Sequence, residues 1–329
     1  MSFVRYNTED QVVSSEDVVR GAWSGDINSL SSFFTASSGV TEYNLNVYNS
    51  ATTESLQFAI QYGNLFGSGS ALINTNVPGY TPSRVIYGEY RNLVYGTETN
   101  NFSFDSSATT ASQIYVINVA RARYKESLLP GSFNLTLTNG ASTIKLTDDS
   151  GTTNLTRYIG ENRVFYVISG SDGNGYTAAA SSSYYGMMFP DLDIIVLNAT
   201  SGSSTSLLPF ITGSGNLNQA TASAVYNQSK LFAAIVNGGS FQLKSEETVS
   251  STYFFTRVKN SEFNYTTNPS IIDENGNLLY TTLINNPQTY ITTVGMYNDN
   301  NELLAVAKLS KPLVKDFTKE ALIRVKLDY

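Results

Sequence analysis

Residues 286–329 constrain the fold most, because apolar and polar side chains alternate through them with a period of two. Tyr290, Thr292, Val294 and Met296 interleave with Ile291, Thr293, Gly295 and Tyr297. The polar cluster 298–301 then interrupts the run, and Leu303, Ala305 and Ala307 resume it. Successive side chains of a strand point to opposite faces, so this pattern predicts a β-hairpin. A lysine-rich connection with Lys308, Lys311, Lys315 and Lys319 follows. A last strand then sets Ala321, Ile323, Val325 and Leu327 against Leu322, Arg324, Lys326 and Asp328. Patterning kept to the final residue predicts a chain end tied into a sheet, since free termini fray.

Shorter alternating segments recur upstream, at 43–48, 56–62, 114–124, 133–138, 142–147 and 164–169, each bounded by turn residues. Asn139-Gly140 joins two of them and is a strong hairpin signal. Residues 63–69 read as a glycine-rich loop and Val77-Pro78-Gly79 as a turn, while 194–197 form a short apolar run. The spacing in SRVIYGEYRNLVYG, 83–96, fits a helix or a strand pair. One segment, 218–237, predicts a helix. It has alanines at 220, 222, 224, 233 and 234, with Val225, Leu231, Phe232 and Ile235 on an apolar face, and Asn237-Gly238-Gly239 signals its C-cap. Alternation returns at 241–247 and 251–265. The reading is a mainly β chain of sandwich-like domains with a helical insertion near 218–237. It divides into an N-terminal β-rich domain (1–170), a low-charge segment with one helix (171–243) and a C-terminal β-sheet region (244–329).

The 329 residues include neither histidine nor cysteine, which removes Ser-His-Asp triads, His or Cys metal ligands, cysteine nucleophiles and disulfides. Carboxylate, Ser-Lys and tyrosine chemistry are what remain for an enzyme. Charged residues make up 14% of the chain, against roughly a quarter in ordinary domains. The 22 tyrosines and 17 phenylalanines suit half-buried sheets and protein interfaces. A net charge of −7 without segregated basic tracts argues against nucleic acid as a partner. MSFVRYNTEDQ lacks the basic and apolar regions of a signal peptide, and no apolar run reaches the length of a membrane span. The expectation is therefore a soluble product of the cytoplasm with no membrane partner.

Asp191 and Asp193 are the best candidate carboxylate pair, because a strand would place both on one face; the plainer reading is a solvated strand edge or loop. Asp172-Gly173-Asn174-Gly175 resembles the start of a calcium loop but lacks the downstream acid, which favours a turn. In VARARYKES, alternation would project Arg121, Arg123 and Lys125 from one face. There they would grip an acidic partner surface or pair with acids such as Glu126. Lys308, Lys311, Lys315 and Lys319 read as a solvated edge that resists aggregation, and Ser310-Lys311 is a poor place for Ser-Lys chemistry. Tyr253, Phe254, Phe255, Tyr297 and Tyr329 complete the candidate interface. No cofactor, metal or catalytic residue is expected.

The stretches SSTYFFTRVKNSEFNYTTNPS (250–270) and NNPQTYITTVGMYNDNNELLAVAKLSKPL (285–313) resemble virion structural proteins of contractile-tailed phages, particularly cyanophage-type myoviruses. YNTEDQVVSSEDVVRGAW and RARYKESLLPGSFNLTL look like the same group. The resemblance implies a non-enzymatic structural role in the phage tail, at the baseplate or its periphery. The chain would be present in several copies, or as a homo-oligomer, and bound to other tail proteins. The alternatives are a neck or tail-completion protein, a receptor-binding fibre or adhesin component, and a carboxylate-based glycan depolymerase.

Overall fold

The computed structural model describes residues 5–23, 31–37, 40–49, 55–67, 83–104, 109–152, 156–176, 184–211, 227–264 and 268–328. They form two compact units, residues 17–247 and residues 1–16 joined to 248–329. In chain order the elements are β1 (Gln11–Gly21), β2 (Ser31–Ser37), β3 (Val40–Tyr48), β4 (Leu56–Asn64), α1 (Ser83–Tyr95), β5 (Gln113–Val119), β6 (Ser127–Leu128), β7 (Asn134–Thr138), β8 (Thr143–Asp148), β9 (Arg157–Ile159) and β10 (Asn162–Ser171). There follow β11 (Asn174–Gly175), β12 (Gly186–Phe189), β13 (Ile194–Asn198), α2 (Asn227–Val236), β14 (Ser240–Gln242), β15 (Lys244–Val258), α3 (Thr282–Asn285), β16 (Thr289–Tyr297), β17 (Leu303–Lys315) and β18 (Ala321–Asp328). The chain is mainly β, as its alternating segments predict. The expected break near 170 falls inside β10, which pairs with β8 on one side and β12 on the other; the division lies in β1 and β15 instead.

The larger unit is built on one antiparallel sheet in the order β14-β7-β8-β10-β12-β13-β5-β4-β3-β2. Its central strands β5, β12 and β13 are buried on both faces, which is why 194–197 read as an apolar run and why both rows of the segment read as alternating at 114–119 enter a core. Tyr115, Ile117 and Val119 of β5 and Ile195 and Leu197 of β13 enter one core. Ile114 and Val116, with Ile194 and Val196, enter the other. Helix α1 covers the second core through Ile86, Tyr87, Tyr90 and Val94, the i, i+4 and i+8 stripe of an amphipathic helix. Residues 83–95 are thus helical: the burial of that stripe decides what spacing alone left open.

The first core holds the sheet's curl. Phe58 of β4 and Phe241 of β14 have six strands between them in the sheet order, yet their rings meet edge-on at 5.3 Å. Trp23 packs against both at 4.9 Å and donates its indole N–H to the Phe241 carbonyl at 3.0 Å. The two ends of one sheet therefore face each other across a shared interior, in sandwich fashion. Leu231, Ala234 and Ile235 of α2 fill that interior, and the Tyr115 hydroxyl donates to the Asn227 carbonyl at the start of α2 at 2.8 Å. The helix ends as its sequence predicts. Gly238 adopts φ 94°, and Gly239 passes so close to Thr136 that an added Cβ would lie 2.3 Å from the carbonyl oxygen. The loop expected at 63–69 starts later than predicted, since Gly63 and Asn64 still belong to β4; its residues 68 and 69, the turn expected at 77–79 and the expected helical residues 218–226 lie outside the described residues.

In the second unit β15 is flanked by β1 and β18, while β16 and β17 form a two-stranded ribbon. The predicted hairpin is present, but the lysine-rich stretch is not simply a connection. Lys308 pairs with Thr293 and Leu313 with Ile291, so 309–312 form a bulge within β17. Pro312, which has no N–H to donate, sits in that bulge. Nor is Lys315 part of a solvated edge. It is fully buried, and its ammonium donates to the carbonyls of Asn260 (2.9 Å) and Asp316 (2.8 Å) and to Oδ1 of Asn264 (2.9 Å). All three protons are satisfied, which is the condition for burying an ammonium.

Candidate functional site

The predicted acidic pair and the predicted basic cluster meet at one end of the large sheet. Neither lies on a strand. Residues 190–193 form the loop between β12 and β13, which Phe189 and Ile194 close as a pair. Arg121–Arg123 is a 3-10 turn that follows β5. One-face projection of Arg121, Arg123 and Lys125 is therefore corrected: the chain turns after Val119 and breaks the period of two. Arg121 donates to the carbonyls of Tyr124 (3.0 Å) and Lys125 (2.9 Å) and lies 4.7 Å from the centre of the Tyr124 ring, bracing its own turn. Nε of Arg123 is buried without a partner among the described residues, and Lys125 is exposed.

The two aspartates have opposite environments, not a shared face. Asp191 receives Nε (3.0 Å) and Nη2 (2.7 Å) of Arg163 on one oxygen and the Arg163 backbone N–H (3.1 Å) on the other. Burial works against its charge, but the bonds from Arg163 outweigh it, so the pKa falls below the usual carboxylate value. Arg163 also donates to Ser127 at 3.2 Å and lies 3.8 Å from Glu246. Ser127 in turn donates to Glu246 at 3.0 Å, joining β10, β6 and the start of β15. Asp193 is buried in the left-handed conformation, φ 57°, with Oδ1 unpartnered. Desolvation pushes its pKa up to about 6, against a hydrogen bond from Tyr124 and the charge of Arg121. Burial first, and then Asp193, push the Tyr124 phenol up to about 12, so it stays a donor.

A raised acid beside a lowered one is the pattern of an acid–base pair. The described cleft lies elsewhere, however. It encloses about 480 Å³ lined by Trp23, Gly131, Ser132, Asn134, Asp172 and Lys244, and contains neither Asp191 nor Asp193. Its polar groups bind one another: Asn134 Nδ2 donates to Asp172 at 2.9 Å, and the Ser132 hydroxyl donates to the Leu129 carbonyl at 2.7 Å. Asp172-Gly173 is a hairpin turn with φ 52° and 70° that pairs Ser171 with Asn174, so the calcium-like sequence forms the plain turn. Among the described residues no cluster of acids has the makings of a metal site.

The aromatic candidates divide by strand register. Tyr253 and Phe255 of β15 stand opposite Lys326 and Arg324 of β18, and the Arg324 guanidinium lies 5.4 Å from the Tyr253 ring centre. Phe254 faces the other way, opposite Val325, with Tyr6 at 5.6 Å. Tyr297 lies on the ribbon opposite Leu303, and both side chains fold over Gly295; Val306 stands opposite that glycine. Tyr329 lies outside the described residues. The sequence reading did not single out Arg163, Tyr124 or Glu246, which are distant in sequence and converge only through sheet pairing. Asp148 and Asp149 also went unnoticed. Asp148 accepts the Gly131 N–H at 2.8 Å, and Asp149 pairs with Arg157 at 2.5 Å, so both serve the fold. No protein-family model, curated protein or solved structure matches this chain.

Proposed function

We propose that this chain is a structural subunit of a contractile phage tail, at the baseplate or its periphery, and that it works through protein–protein interfaces. The observation that supports this most directly is the β16–β17 ribbon. Its strands, 9 and 13 residues long, pair only with each other among the described residues. Tyr297 and Leu303, which meet over Gly295, and Val306 opposite that glycine are 41–59% exposed, and Leu304, next to Leu303, is 67% exposed. A two-stranded ribbon is marginal in water by itself, and clustered exposed apolar side chains mark a surface that another protein covers. The stretches that resemble phage virion proteins, 250–270 and 285–313, coincide with much of β15 and of the ribbon itself. The resemblance therefore falls on the surface that needs a partner.

Mass spectrometry of purified particles tests the assignment, followed by cryo-electron microscopy to locate the subunit. The chain is expected in the particle, in a multiple set by tail symmetry, with the ribbon against a neighbour. Finding it only as free protein in lysates would refute the proposal.

A further inference from the structure

The pair Asn-Gly occurs at 139–140, 174–175, 237–238 and 275–276, always among the described residues. This dipeptide can lose ammonia unaided. The glycine nitrogen attacks Cγ of the asparagine, a C–N bond forms, and the bond to Nδ2 breaks as ammonia leaves with the glycine's amide proton. Water then opens the cyclic imide at either carbonyl, giving aspartate or a backbone routed through the side chain as isoaspartate. Glycine favours the attack because no Cβ obstructs it. Two groups must be free: the asparagine side chain, which swings toward the next residue, and the N–H that it meets.

The fold holds one or both of these groups at three of the sites. Asn139 accepts the N–H groups of Ala141 (2.9 Å) and Ser142 (2.7 Å), its Nδ2 donates to the Pro209 carbonyl, and the Gly140 N–H donates to Thr138 at 3.2 Å. Asn174 donates to the Asp172 carbonyl at 3.1 Å, and Gly175 is paired with Gly170. The Gly276 N–H donates to the Asp273 carbonyl at 3.0 Å, in a turn that Asp273 Oδ1 closes over the N–H groups of Asn275 and Asn277. Asn237 differs. It and Gly238 are exposed just past α2, and neither the Asn237 side chain nor the Gly238 N–H has a hydrogen-bond partner among the described residues. We propose that Asn237 is a site of spontaneous deamidation, singled out from the other three by the hydrogen bonds they make and it lacks.

The products would loosen the fold. A carboxylate at 237 lies beside the last carbonyls of α2, at the negative end of its dipole, and no basic residue in the last turn offsets it. Isoaspartate instead adds a backbone carbon next to Gly239, where an added Cβ would already lie 2.3 Å from the Thr136 carbonyl oxygen and 2.5 Å from that of Ala234. Because Leu231, Ala234 and Ile235 of α2 fill the interior of the curled sheet, either product weakens that core as the protein ages. This inference does not depend on a role in a phage tail.

Peptide mapping by mass spectrometry, on the full chain held at mildly alkaline pH and sampled over weeks, tests the site. The conversion of amide to acid should run first at Asn237, then at Asn275, and at least about tenfold more slowly at Asn139, where several bonds must open before the ring closes. In urea the four sites should convert at similar rates, because the hydrogen bonds are gone. Asn237→Asp, which mimics one product, should unfold at a lower denaturant midpoint than the unaltered chain. A folded chain that converts first at another site, or an order that persists unchanged in urea, would overturn the assignment to Asn237. An Asp form as stable as the original would overturn the loosening of the core.

Discussion

Replacing Asp193 by Asn tests whether the fold holds this carboxyl group against its own ionisation. Asn preserves the shape and tolerates the left-handed backbone that position 193 adopts, so the perturbation is chiefly one of charge. The side chain is 4% exposed, one oxygen lacks a partner, and its pKa moves from 3.8 to about 6. At about 1.4 kcal/mol per unit, two units correspond to ~3 kcal/mol, and solvent at the end of the sheet reduces the expected effect to about 1–3 kcal/mol. The sign follows from proton binding. Between about pH 4 and pH 6 the folded chain holds a proton on Asp193 that the unfolded chain has released. Stability therefore falls as pH rises through that window, and the penalty is complete above it. Asn has no charge to lose at any pH. Denaturant unfolding of both proteins at pH 4, 5, 6 and 7 should show near-equal stability at the acid end, with the Asn form ahead by the full amount at pH 7. All other titrating groups are common to the two, so the difference isolates this one. An offset that does not change with pH, or a native chain that gains on the variant between pH 4 and pH 7, would refute the reasoning. For Asp191, whose pKa is lowered, the native chain should instead gain on its Asn variant as pH rises to the ordinary carboxylate value of 3.8, with the gain essentially complete above it.

Other substitutions probe the core and the surface. Lys315→Met should leave Oδ1 of buried Asn264 without its donor, while the Asn260 and Asp316 carbonyls keep those from Asn264 and Lys319, and should cost about 1–3 kcal/mol, read as a drop in the unfolding midpoint. Leu231→Ala, in the interior of the curled sheet, should cost about 2–5 kcal/mol in the same assay. Gly239→Ala should destabilise by at least about 1–3 kcal/mol because its Cβ would meet the Thr136 carbonyl oxygen at 2.3 Å. Changing exposed Leu304 and Val306 to Lys should leave stability within about 0.5 kcal/mol, as surface substitutions do, yet lower incorporation into particles as measured by mass spectrometry.

Much of the fold was legible where one face of an element is wet. The hairpin at β16 and β17, the β7–β8 pair around Asn139-Gly140 and the glycine stop of α2 all follow from local chemistry: alternation, an Asx turn and a left-handed glycine. Residues 83–95 were ambiguous because Tyr and Val suit a strand as well as a helix, and only packing of Ile86, Tyr87, Tyr90 and Val94 on β5, β12 and β13 selects the helix. The acidic pair was noticed, but its chemistry was not. Spacing in sequence does not show that Arg163 clasps Asp191 while Asp193 turns inward beside Tyr124. Lys315 was misread for a related reason: a lysine among lysines looks solvated until the carbonyls that enclose it are known.

Sequence alone determined that this chain is mainly β, because a period of two leaves a strand as the element that can bury one face and wet the other. It also removed histidine and cysteine chemistry, since those residues are absent. Tertiary structure decided the rest: how one sheet curls until Phe58 reaches Phe241, which carboxylate keeps its charge, and which strands are left uncovered. Those outcomes depend on contacts between residues far apart in the chain, and on the desolvation that only a closed fold imposes.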